Sequence, residues 1–137
     1  MNRIISLLPG ATEIVAALGA EAALVGISHE CDFPAAVRGL PRVTTTPIDG
    51  EEAGGRIDTA VREVVAQGRP VVAVDADMVR MLRPTHLITQ ALCDLCAVAD
   101  GTTWRLADVL DPAPAVLNLT GRTLRGVWQD IEMVAAA

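Results

Sequence analysis

Aromatic side chains are nearly missing from the 137 residues: the chain has Phe33, Trp104 and Trp128, and no Tyr. A base-stacking platform needs several such faces along one surface, so single-stranded nucleic acid is excluded as a partner. Positive charge is short as well. Eleven basic residues stand against 17 acidic ones, the formal net charge is −6, and Lys and Arg form no run. That removes the electrostatic footprint needed for nucleic acid or an anionic membrane. No apolar run approaches the about 18 residues of a membrane span. The opening MNRIISLLPG offers one Arg and a short apolar run closed by Pro9, too little for a secretory signal. As written, the chain is expected in the cytoplasm, or in the periplasm or at the cell surface if a leader precedes it. Three cysteines, an odd number, argue against a closed disulfide framework and suit a reducing compartment, as free thiols or ligands.

What is abundant is aliphatic: 51% of the residues are hydrophobic, enough for a real core in one domain spanning 1–137. Residues 4–8 read as a buried strand that breaks at Pro9-Gly10, followed by a helix through TEIVAALGA with Gly19 as its stop and Glu13 near its positive end. Residues 24–28 make a second strand, 35–38 a short helix, and 41–44 an edge strand. Ile57, Val61, Val64 and Val65 form one helical stripe over 56–67, ended by Gly68, so 45–55 is a loop. Strands follow at 71–74, 86–89 and 115–119. Helices are expected over 75–83, from Thr102 or Thr103 to 110, and from Thr123 onward. The last carries Leu124, Val127, Trp128, Ile131 and Val134 on one side; Trp104 and Trp128 both read as core. Apolar strands alternating with amphipathic helices give an α/β class, with a mainly parallel sheet covered on both faces. The final helix stops with neither glycine nor proline, as though it were the start of a longer one.

Ligands of open parallel sheets bind beyond the carboxyl ends of the strands. The loops there begin at Pro9, at His29 and at Gln90. The second reads HECDFP and the third QALCDLC. His29, Cys31, Cys93 and Cys96 make a Cys₃His set able to hold zinc, although H-x-C followed so much later by C-x-x-C is no standard zinc-finger spacing. The bland alternative, cysteines as small apolar fillers, stands beside it. Asp-Leu between Cys93 and Cys96 does nothing to lower a thiol pKa, against a redox dithiol. His29 and Glu30 could serve as acid and base, yet no nucleophile or second placed carboxylate completes a catalytic set, so the chain reads as a non-enzyme. P-G-A-T-E lacks both the dinucleotide and the P-loop fingerprints; Gly10 either cradles an anion or makes a plain turn. Asp32 and Glu13 read as caps rather than ligands.

RIISLLPGATEIVAALGAEAALVGISHECDFP and RPTHLITQALCDLCAV resemble the paired motifs of the cobalamin-type solute-binding proteins of ABC importers, the class III, helical-backbone type. The resemblance extends through GLPRVTTTPID and TLRGVWQDI, nearly the whole chain. It implies a Rossmann-like N-terminal lobe that ends in the start of a long backbone helix, with the second lobe absent. It also implies a corrinoid ligand in the cleft, no required cofactor, and importer membrane subunits as partners. Pro9, Gly10, Ala11, Thr12, His29, Glu30, Cys31, Gln90, Leu92 and Cys93 then inherit the role of ligand contacts. Iron-siderophore and haem binders share the broad architecture. Gly10 stands where the family has Ser, Phe33 where it has Tyr, and Ala91 where it has an acid, so polar recognition is weakened or altered. The face meant for a second lobe is expected to be partly apolar and to drive self-association.

Overall fold

The computed structural model describes residues 1–51, 53–90 and 100–137, with the backbone alone at 100, 101 and 104. Its central sheet has four strands, β1 (Ile4–Ser6), β2 (Leu24–Ile27), β5 (His86–Gln90) and β6 (Ala115–Leu119), all parallel in the order β2-β1-β5-β6. Two further short strands, β3 (Thr44–Thr45) and β4 (Ala73–Val74), pair antiparallel as a separate ribbon. The helices are α1 (Pro9–Ala17), α2 (Gly54–Ala66), α3 (Ala76–Leu82), α4 (Asp100–Asp108) and α5 (Leu124–Ala136), with a short 3-10 helix at Ala35–Gly39.

The sheet is covered on both faces, as expected. One core joins Ala11 and Val15 of α1 and Val134 of α5 to Ile4, Leu24, Ile27, Ile88 and Leu119. The other joins Val79 of α3 and Leu106 and Ala107 of α4 to Ile5, Leu7, Val43 and Leu87. Successive strand residues point to opposite faces, so Ile4 and Ile5 serve different cores. From β1 the chain winds outward to β2 over α1, then crosses to β5 and β6 over the opposite face. A reversal of winding with crossovers of one hand requires this swap of faces. α2 contributes to neither core.

Local chemistry explains the boundaries. Pro9 is the first residue of α1, after Leu8 in extended conformation, because its missing N–H and fixed φ suit that position. The helix therefore begins at Pro9 rather than after a Pro9-Gly10 turn, and Glu13 lies beyond its first turn and caps nothing. Gly19 ends it with φ +77°. Asp75 caps α3 by accepting from Met78 N at 2.9 Å, and Thr123 caps α5 by accepting from Gly126 N at 3.1 Å.

Four expectations change. The strand at 71–74 shrinks to two residues and leaves the parallel sheet. Only Ile27↔Arg42 bridges the 41–44 stretch to β2; Thr44 and Thr45 belong to the ribbon. Thr102 and Thr103 lie inside α4 rather than at its cap, and Thr103 Oγ1 donates to Thr89 Oγ1 at 3.3 Å. Trp128 is not core: it is 59% exposed, because only the Val134 end of its helical stripe reaches the sheet. The side chain of Trp104 lies outside the described residues.

Candidate ligand-binding edge

Because β1, β2, β5 and β6 are parallel, their carboxyl ends share one edge of the sheet. Strand order reverses between β1 and β5, and a crevice at such a switch point is where open α/β sheets receive ligands. Leu7 N continues the pairing to Ile88 O at 2.9 Å, and Pro9 and Gly10 follow at the rim. His29 and Glu30 leave β2 on one side of them, and Gln90 ends β5 on the other.

The segment after β2 is a tight turn, closed by Cys31 N donating to Ser28 O at 3.1 Å. His29 is held twice by Thr44, whose Oγ1 accepts the His29 backbone N–H at 2.9 Å and lies 2.7 Å from Nδ1. Its Nε2 lies 3.3 Å from Glu30 Oε1. A carboxylate only accepts, so that pair keeps the ring proton on Nε2 and leaves Nδ1 to receive the Thr44 hydroxyl. Thr44 Oγ1 also lies 3.2 Å from Ser28 Oγ and can donate there instead, accepting Nδ1–H in return. Two hydroxyls thus let His29 present either a proton or a lone pair at Nε2. Arg42, carried beside Ile27 by Ile27 N→Pro41 O and Val43 N→Ile27 O, both 2.9 Å, directs Nη1 at the carbonyls of Ser28, His29 and Cys31.

Cys31 is 1% exposed. Thr12 Oγ1 donates to Ser6 Oγ at 2.9 Å, and Ser6 Oγ donates to Leu8 O at 2.9 Å. With those protons committed, Cys31 Sγ, 3.1 Å from Thr12 Oγ1, can donate to it, and a thiolate would instead draw the Thr12 proton to itself. Burial pushes the Cys31 pKa up, outweighing the lowering from Thr12, the Ser28 contact and Arg42. At the far end of the edge, the buried Asp130 of α5 accepts from Thr120 N at 3.2 Å and Gly121 N at 2.9 Å. Gly121 is required there: a Cβ would lie 2.7 Å from backbone atoms of Gly126 and Val127.

Beside the edge, a groove of about 760 Å³ runs between α1 and α5. Ile14, Leu18, Phe33, Val127, Trp128 and Ile131 give it apolar walls, with Glu13 and Glu21 among its lining. Phe33 is 61% exposed on it. Its size is that of small-molecule pockets, and Gly10 of the rim is among its lining residues.

Among the residues expected to contact ligand, Pro9, Gly10, His29, Glu30 and Gln90 are at least partly accessible at the edge. Ala11, Thr12 and Cys31 are buried beneath it, since the first turn of α1 and the turn after β2 pack on each other. Leu92, Cys93 and Cys96 lie outside the described residues, as does Ala91. Among the described residues no three His, Cys, Asp or Glu side chains gather as a metal site. Asp32 is exposed and caps no helix. Arg42, Thr44 and Asp130 were not anticipated. A lone arginine between apolar residues in LPRVT was the available sign for Arg42.

A four-stranded parallel sheet with helices on both faces defines a Rossmann-like α/β fold. Solved structures carry the comparison further. The periplasmic vitamin B12 binding protein BtuF of Vibrio cholerae matches with a TM-score of 0.65 at 21% identity, over 98% of this chain and 40% of that one. The periplasmic heme binding protein HutB of Vibrio cholerae matches with a TM-score of 0.61 at 23% identity, over 98% and 40%. The periplasmic heme-binding protein RhuT of a Roseiflexus species, in its apo form, matches with a TM-score of 0.57 at 18% identity, over 99% and 45%. The chain therefore shares the fold of part of these periplasmic binding proteins and spans less than half of their length. No protein-family model and no curated protein matches the chain.

Proposed function

We propose that the chain is one lobe of a class III solute-binding protein of an ABC importer, and that it binds a large metal-centred ligand. A corrinoid is the first candidate, and haem or an iron-siderophore complex the alternative. The observation that carries this reading is the alignment of Pro9-Gly10, His29-Glu30 and Gln90 along one edge, at the switch point between β1 and β5. The fold shared with vitamin B12 and haem binders supports it. So do the HECDFP and TQALC motifs. The role is capture and delivery rather than catalysis, with importer membrane subunits as partners. The periplasmic neighbours favour action in the periplasm or at the cell surface and lend no support to the cytoplasmic expectation.

His29 is the residue suited to a metal centre. With Thr44 accepting from Nδ1 and donating to Ser28, Nε2 offers a lone pair at the accessible edge once the exposed Glu30 carboxylate, 3.3 Å away, turns aside. A single lobe covers one face of a ligand that two lobes would enclose, so affinity for this chain alone is expected to be modest. Absorbance titration with aquocobalamin, cyanocobalamin and haemin tests the reading. A spectral change with aquocobalamin, whose bound water exchanges, supports an imidazole on cobalt. Equilibrium dialysis that finds no binding of any of the three defeats the proposal. Bound zinc by elemental analysis, or a Cys93–Cys96 disulfide by thiol counting, would favour a metal- or thiol-dependent protein instead.

A further inference from the structure

We propose that Arg42 is a positioning residue of the binding edge: its guanidinium gathers the carbonyls of the turn after β2 and thereby holds His29 and Glu30 toward the ligand. The inference rests on the function proposed above. Nη1 reaches Ser28 O at 2.9 Å, His29 O at 3.1 Å and the carbonyl of Cys31. Three carbonyl oxygens from one short turn converge on a single nitrogen. Their partial negative charges repel one another, and a planar cation with several donors offsets that repulsion. A nitrogen with two hydrogens serves three acceptors only by sharing, so the arrangement depends on the charge more than on any one bond.

The anchor of this clamp is the sheet. Residues 41 and 43 bond to both sides of Ile27, so Arg42 starts from a fixed point. Thr44 lies two residues further, and it holds the His29 backbone N–H and Nδ1. One edge segment therefore grips the turn by its carbonyls through Arg42 and by its imidazole through Thr44. The side-chain hydrogen bonds of Arg42 go to the carbonyls of this turn. Arg38 supplies the control. Its Nε donates to Asp32 O at 2.7 Å, just beyond the turn rather than within it.

The test uses the full chain labelled with ¹⁵N. Long-range ¹H–¹⁵N spectra report the ring nitrogens of His29, with His86 as internal reference and His29→Gln giving the assignment. In Arg42→Met the His29 ring shifts toward the tautomer mixture of a free imidazole while His86 does not move. The aquocobalamin dissociation constant rises about tenfold or more. Arg38→Met changes neither. An unmoved His29 ring in folded Arg42→Met overturns the assignment. Should that variant fail to fold, Arg42→Lys, which keeps the charge and roughly the reach but not the planar fork of donors, is read the same way with a smaller expected shift. A wild-type chain that binds neither corrinoid nor haemin counts against the function proposed above, and the ring spectra still decide the role of Arg42.

Discussion

Cys31 Sγ lies 3.1 Å from Thr12 Oγ1, so the turn after β2 is fastened to the first turn of α1 by a hydrogen bond in which either atom can donate. Both residues, expected from their motifs to contact ligand, are buried and join two rim segments from below. Removal of Thr12 Oγ1 leaves Ser6 and Cys31 without their shared partner. Thr12→Val is expected to cost about 1–3 kcal/mol, measured by urea unfolding.

The same thiol predicts a pH dependence. Its folded pKa is raised above the ordinary 9.0, mainly by burial, while the unfolded chain keeps the ordinary value. The contribution to stability is fully present below pH 9.0 and is lost as pH rises toward and through the folded value, because the unfolded state ionises first. The difference in unfolding free energy between wild type and Cys31→Ala should shrink over that range. A difference that stays flat with pH contradicts it.

His29→Ala should abolish the aquocobalamin spectral change, because no imidazole then reaches cobalt. Cyanocobalamin, whose cyanide occupies that coordination position, should bind the variant and the wild type within a few-fold of each other. An aquocobalamin spectrum unaffected by the substitution would assign the metal contact elsewhere.

The groove between α1 and α5 exposes Leu18, Phe33, Val127 and Trp128 together. Exposed apolar patches of this kind promote association, and Glu13 and Glu21 oppose the approach of a second copy until salt screens them. Light scattering should show association that grows with concentration and with salt, and that Trp128→Ser reduces. The fluorescence lost in Trp128→Phe should have the long-wavelength emission of water-exposed indole.

Gly121 and Asp130 fix the junction of β6 and α5. Gly121→Ala forces a Cβ against Gly126 and Val127 backbone and is expected to cost about 3 kcal/mol. Asp130→Ala orphans two backbone N–H groups and should cost about 1–3 kcal/mol. Thermal melts with unchanged midpoints would contradict both.

The α/β alternation, the two-sided burial of Ile4–Ser6 and Leu24–Ile27, and the cap at Thr123 were legible in the amino-acid order. Each depends on neighbours within a few residues, and apolar period and capping chemistry report such neighbours directly. Pro9, His29 and Gln90 were legible as rim candidates for the same reason. The exposure of Trp128 was not, because a helical stripe says which side of a helix is apolar and not how much of that side finds a partner. The burial of Ala11, Thr12 and Cys31 was equally hidden, since it follows from contact between segments far apart in the chain.

Taken alone, the sequence determined the class of the fold, its aliphatic cores and the motifs that face the carboxyl edge, because these are set by local pattern. Tertiary structure alone decided that Arg42 and Thr44 hold His29, that Asp130 holds the end of β6, and that Cys31 is buried against Thr12. Those roles arise from strand order and side-chain reach across the sheet, for which spacing along the chain carries no information.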